Sequence, residues 1–134
     1  MDENILFFSA EAKAPAGKLL MDLIGPIETE FNKKFSSKYS GGKLKCVTIV
    51  FICMDEDMLH KGFYEERRFI SWKKQYADIR LMIPYTPFLK GSLNEKKQLV
   101  WEVIKQALEY LYSKNAFSNI DEFAKDISNV FWNM

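Results

Sequence analysis

The sequence is short of most things that would name a chemistry. It has one histidine, His60, and two cysteines, Cys46 and Cys53. A metal site needs three or four ligands at short spacing, and His60 stands beside Lys61 with no cysteine near it. It reads as a solvated loop histidine. Both cysteines lie in the apolar run "CVTIVFICM". Seven residues apart on a strand they would sit roughly 23 Å apart and face opposite ways, which excludes a disulfide between them. Buried in a core strand, such thiols are inert and fit a reducing compartment. There is no G-x-S-x-G, P-loop or G-x-G-x-x-G pattern, and "SGGK" at Ser40 lacks the phosphate-loop spacing. Asp55 and Asp57 fall at alternate positions, as in an EF-hand loop, but His60 stands where the central glycine belongs. They read as a solvated acidic turn. These absences leave no catalytic constellation, cofactor or metal to expect, and argue against an enzyme.

Excess charge is missing too. Nineteen basic and eighteen acidic residues leave a net charge of +1, whereas a nucleic-acid-binding domain usually carries a basic surplus. No apolar stretch reaches the ~18 residues that span a bilayer. The start, "MDENILFFSAEAK", has no basic region ahead of its short apolar run and is no secretory signal. A soluble, cytosolic protein is expected, with no membrane partner. Repeats, low-complexity segments and linkers are also lacking.

What is present is core material. Apolar residues make up 48% of 134, including eleven Phe, six Tyr and three Trp. That length fits one domain, residues 1–134, burying about two-thirds of its unfolded surface without disulfides or metals. "NILFFS" (4–9) predicts a first strand. Leu20, Leu23, Ile24, Ile27, Phe31 and Phe35 recur at three- and four-residue steps and predict a helix over 15–38, kinked or broken at Gly25-Pro26. Residues 44–54 are apolar on both alternating faces, the mark of a central strand covered on both sides. A polar connection (55–62), a mixed strand (63–72), a "KKQY" turn and another strand (77–84) follow. In the last strand Ile79, Leu81 and Ile83 share one face, while Asp78, Arg80 and Met82 share the other. "SLNE" at Ser92 is a capping box opening a helix to Lys114. A cap at Asn119 with Glu122 opens a shorter amphipathic helix. The order strand, helix, three strands, two helices predicts an α+β fold. Its sheet is expected to be an antiparallel meander of about four strands with helices packed on it.

Charge is sorted along the chain even though it cancels in total. Residues 31–54 hold five lysines and no acid, 55–66 five acids and one lysine, and 67–74 four bases and no acid. Opposed blocks of this kind orient a partner. They also arise where residues such as Glu65, Glu66, Arg67 and Arg68 merely pair across strands. The open face of the hairpin, with Glu65, Arg67, Trp72, Asp78, Arg80 and Tyr85, is the candidate partner-binding surface, since Arg and aromatics are over-represented among hot spots.

The segment "YADIRLMIPYTPFLKGSLNEKKQLVWEVIKQALEYLYSK" (76–114) resembles an immunity-protein family of bacterial polymorphic toxin systems, of the contact-dependent inhibition type. The strand "ADIRLMIPY", the "PF" turn and the long helix ending "ALEYL" carry the likeness. "YEERRFISWKK" and "NILFFS" fit the same layout more loosely. The resemblance implies a cytosolic, non-catalytic protein made beside a secreted toxin, whose partner is the toxin's C-terminal domain. It carries no contact positions over. Inhibitors of basic nucleases are often markedly acidic, so the near-neutral charge points away from such a target. Two other readings compete. One is a nucleic-acid-binding module using Lys33, Lys34, Lys38, Lys43, Lys45, Arg67 and Arg68. The other is a small-molecule-binding domain or small enzyme with a site assembled from dispersed residues.

Overall fold

A computed structural model describes residues 4–134. The elements are β1 (Leu6–Ala12), α1 (Ala16–Tyr39), β2 (Cys46–Cys53), α2 (Glu56–His60), β3 (Arg67–Ser71), β4 (Tyr76–Met82), α3 (Tyr85–Lys90), α4 (Leu93–Ser113) and α5 (Ile120–Trp132). The fold is α+β, as the sequence predicts, but the meander is not there. The four strands run in the order β1-β2-β4-β3. β1 pairs with β2 in parallel, β2 with β4 in parallel, and only β3 with β4 antiparallel. The sheet is mixed.

The reason lies in two connections. α1 carries the chain from the end of β1 back to the start of β2, so those strands must run the same way. Residues 54–66, with α2 inside them, then carry the chain past the position next to β2 and out to the far edge. β3 forms there, and the hairpin brings β4 back between β3 and β2. The predicted strand over 63–72 shortens to 67–71, because 63–66 belong to that excursion. An apolar run on both faces, as in β2, is the usual signature of a parallel strand. Five of its eight residues from Ile49 to Cys53 are buried without a break.

Helices are where the apolar stripes put them. α1 buries Leu20, Ile24, Ile27 and Phe31 and runs unbroken through Pro26. α4 buries Val100, Val103, Ile104, Ala107, Leu108 and Leu111. Its capping box is formed: Glu95 N–H donates to Ser92 Oγ at 3.2 Å and Ser92 N–H to Glu95 Oε1 at 3.1 Å. α5 buries Phe123, Ile127, Val130 and Phe131, but Asn119 makes no side-chain cap. The loop at Asp55 is a helix start instead of a plain turn, with Asp55 Oδ1 accepting from Met58 N–H at 3.0 Å. His60 is the last residue of that helix and is exposed. α3, in the "YTPFLK" segment, has no counterpart in the apolar pattern.

All of α1, α3, α4 and α5 bury their stripes in one core with Leu6 and Phe8 of β1, Val47, Ile49, Phe51 and Cys53 of β2, and Ala77, Ile79 and Leu81 of β4. These strand positions alternate, so they form a single face of the sheet. Phe31, Tyr39, Phe117 and Phe123 close the far end of the core with ring contacts between 4.6 and 6.2 Å.

One buried amide ties α1 to the sheet. Asn32, 5% exposed, accepts at Oδ1 from Ile5 and Leu6 N–H, both at 3.0 Å. Its Nδ2 donates to Leu6 C=O at 2.7 Å and to Glu28 C=O at 3.0 Å. One turn earlier, Glu28 Oε1 accepts from Phe8 N–H at 2.6 Å. The outer edge of β1, which has no strand neighbour, is thus hydrogen-bonded by the side chains of α1. Removing the amide leaves buried backbone donors unmatched, each costing about 1–3 kcal/mol. Asn32→Ala should therefore lower the free energy of unfolding by about 2–4 kcal/mol in urea titration.

Candidate functional site

With four helices on one face, the opposite face of the sheet carries no core helix and is bordered by α2 and by residues 62–66. Its side chains follow from the pairing register: Phe7, Ser9 and Glu11 from β1; Thr48, Val50 and Ile52 from β2; Asp78, Arg80 and Met82 from β4; Arg67, Phe69 and Ser71 from β3. Phe7 is 39% and Phe69 43% exposed. Val50 and Ile52 are buried although no core helix covers them.

The register explains this. Glu11 is level with Ile52 and Arg80 with Val50, on the strands to either side of β2. Arg80 reaches across β2 and binds Glu11 with both arms of its guanidinium, Nη1 to Oε1 at 2.8 Å and Nη2 to Oε2 at 2.5 Å. The pair spans two strand spacings, about 10 Å, and crosses β2 between the levels of Val50 and Ile52, while Ile52 also neighbours Leu59 of α2 and Met82. Hydrogen bonding from Arg80 holds the Glu11 carboxyl below its ordinary 4.5, against a smaller opposing effect of burial. The same hydrogen bond raises the Arg80 guanidinium.

Arg67 stands directly opposite Arg80 in the β3–β4 register. Like charges so placed repel. Each has its own carboxylate: Arg80 takes Glu11, and Arg67 makes an ion pair with Asp78. Across the sheet β1 carries Glu11, β4 carries Arg80 and Asp78, and β3 carries Arg67, so each arginine meets its carboxylate from a different strand. Beside them, Gly62, Phe63, Glu65, Glu66, Arg67 and Arg80 line an open cleft of 610 Å³. Glu66 Oε2 accepts from Met82 N–H at 2.9 Å, which closes the end of β4.

Of the six residues singled out in the sequence, Glu65, Arg67 and Arg80 meet in this cleft, and Asp78 joins through Arg67. Asp78 and Arg80 are half-buried. Trp72 and Tyr85 lie off opposite ends of β4, roughly 20 Å apart or more. Trp72 is exposed in the hairpin turn. Tyr85 opens α3, donates its hydroxyl to Ala14 C=O at 2.9 Å, and lines a second cleft of 380 Å³ with Ile52, Met54, Asp55, Leu59 and Met82. Next to that cleft Asp55 makes an ion pair with Lys13, which holds the Asp55 carboxyl low. Glu11 and Phe7 were missed. The predicted first strand stopped at Ser9, though the alternation "LFFSAEA" continues to Ala12 and places both residues on the open face.

Several basic residues of the nucleic-acid reading are engaged within the chain. Lys34 pairs with Glu30, and Lys38 with Glu122 and Asp126. Burial opposes ionisation of Asp126, but hydrogen bonds from Lys38 and Tyr39 outweigh it and keep its pKa below the usual value. Arg68 donates to Gln106 on α4 at 3.4 Å. Among the described residues no three His, Cys, Asp or Glu side chains are grouped to hold a metal. Burial pushes the Cys53 thiol up to about 11, far from a reactive thiolate. The open face can therefore offer arranged charges and two exposed rings, which suits recognition.

A family model described as Immunity protein 44 matches residues 4–132. The chain belongs to the immunity protein 44 family. No curated protein and no solved structure matches it. The immunity-protein resemblance seen in the 76–114 segment thus extends over nearly the whole chain, and it points to a toxin-neutralising role. Among the described residues no helix is long and apolar enough to cross a membrane.

In this immunity protein 44 chain the Glu11–Arg80 pair also sets part of the acid stability. The folded pKa of Glu11 lies below its ordinary 4.5, so the pair stabilises the fold above that pH and is lost as pH falls through the folded value. Glu11→Gln should cost about 1 kcal/mol at neutral pH, after allowing for solvent screening. In acid, well below the ordinary carboxylate range, the variant and parent stabilities should converge. Urea titrations across the pH range measure both.

Proposed function

We propose that this protein is a cytosolic, single-domain immunity protein that neutralises a cognate toxin domain by binding it, without catalysis, through the open face of its sheet. The observation that carries the reading is the charge ladder Glu11–Arg80 and Arg67–Asp78, held in place between exposed Phe7 and Phe69 on a surface that no core helix covers. A binding inhibitor gains from groups already fixed in their bound geometry, because little side-chain entropy is then lost on association. Aromatic and Arg side chains are the commonest hot spots of such surfaces. Glu65, Arg67 and Asp78 are the favoured contact residues from the sequence, with Phe7 added. Arg80 acts mainly by holding Glu11 across β2, so its reversal would disturb the sheet as well as any contact. Trp72 and Tyr85 stand at the rims and are assigned smaller parts.

A non-catalytic mode is supported by the ion-paired state of the charged side chains and by the buried Cys53 thiol. Co-expression with the toxin encoded beside this gene tests the reading. Cells should survive with this protein and die without it; death in both cases would refute the idea. In binding measurements with the purified toxin domain, Phe7→Asp and Arg67→Glu should each weaken affinity tenfold or more, about 1.4 kcal/mol. Leu93→Ser, exposed on the helical side, should leave it unchanged.

A further inference from the structure

The sheet has two edges, and they are treated differently. The β1 edge is hydrogen-bonded by Asn32 and Glu28 of α1. The β3 edge is exposed: β3 is the last strand of the sheet, and Arg67, Arg68 and Phe69 are all exposed. Natural proteins guard such edges with charged side chains, especially Lys, with Pro or bulges, or with a covering element. Here the charges are sorted by sign. The segment "EERRFISWKK" begins with Glu65 and Glu66 and ends with Lys73 and Lys74. The acids precede β3 and the bases lie in the turn that follows it, so two copies set antiparallel bring the acidic flank of one beside the basic flank of the other.

The register can be tested residue by residue. In a two-fold pairing of continuous sheets, opposed residues share a face, so the axis must pass through a residue paired with its own copy. An axis at Phe69 sets Phe69 against Phe69, Arg67 against Ser71 and Arg68 against Ile70 within β3, and beyond the strand ends it brings the Glu65 flank of one copy toward the Lys73 turn of the other. No like charges meet. Moving the axis one residue either way sets Arg68 against Arg68, or Arg67 against Lys73, which is unfavourable. Among the described residues neither Glu65 nor Lys73 has an ion-pair partner within the chain.

We propose that the occupant of the β3 edge is a second copy of this chain, joined antiparallel about Phe69 into one eight-stranded sheet. The two Phe69 rings meet at the axis, and two Glu65–Lys73 pairs flank it. The two-fold axis is perpendicular to the sheet, so both open faces lie on the same side of the dimer. This goes beyond toxin binding and holds or fails without any toxin present. A contact this narrow makes a weak dimer, in the micromolar range.

Sedimentation equilibrium of the full chain alone should show a monomer–dimer equilibrium that weakens at high salt, since exposed pairs are screened. Glu65→Lys and Lys73→Glu should each weaken the dimer roughly tenfold, and the double exchange should restore it. Independently, Phe69→Cys should cross-link to a covalent dimer with a short bismaleimide. Leu93→Cys should not, because Leu93 is exposed on the helical side of the sheet, away from the pairing edge. A chain that stays monomeric at all concentrations overturns the proposal. So does a dimer that ignores both charge reversals and yields no Phe69→Cys cross-link.

Discussion

One constraint organises the molecule: β2 runs parallel to both of its neighbours. A parallel neighbour cannot be reached by a tight turn, so each connection must cross from one end of the sheet to the other. The first crossover is α1. The second contains no long helix and is made by residues 54–66, β3 and the hairpin. This second route is what drives β3 to the edge and leaves β4 beside β2. Because the long helices pack on one face, the other face stays open, and the edge at β3 has no covering element.

An open face asks something of a sheet whose middle strand is apolar on both sides. The protein meets that demand with side chains instead of another layer. Arg80 and Glu11 join across β2 between the levels of Val50 and Ile52. The second arginine, Arg67, would be repelled by the first but for Asp78. The same four residues therefore tie three strands together and fix a charge pattern on this face. If this face binds the toxin as proposed, a substitution in the ion pairs would alter sheet stability together with binding. Residues such as Phe7 and Glu65, exposed and outside this ladder, are free of that double duty.

The apolar spacings determined a good deal by themselves. The stripes of α1, α4 and α5, the capping box at Ser92, the buried character of β2 and the division of β4 into Ile79 and Leu81 against Asp78 and Arg80 are all local properties. Each depends on periods of 3.6 or 2 residues and on side chains within one or two turns of each other. The family likeness in 76–114 was legible for the same reason, since it is a continuous strand–turn–helix. Strand neighbours were not legible. Consecutive strands suggested a meander, and nothing local in "DEDMLHKGFYEE" tells the chain to pass β2 by and pair at the far edge.

The candidate site divides along the same line. Glu65, Arg67, Asp78 and Arg80 could be gathered from one stretch of sequence, because a hairpin brings near neighbours together. Glu11 could not, since it is 69 residues from Arg80 and meets it only because β1 and β4 flank β2. Asn32 likewise is one polar residue of α1 until Ile5 and Leu6, 27 and 26 residues away, supply three of its four hydrogen bonds. Sequence alone determined which faces are apolar and where the three long helices lie. Tertiary structure decided which charges meet, because strand order sets the distance between residues that no local pattern connects.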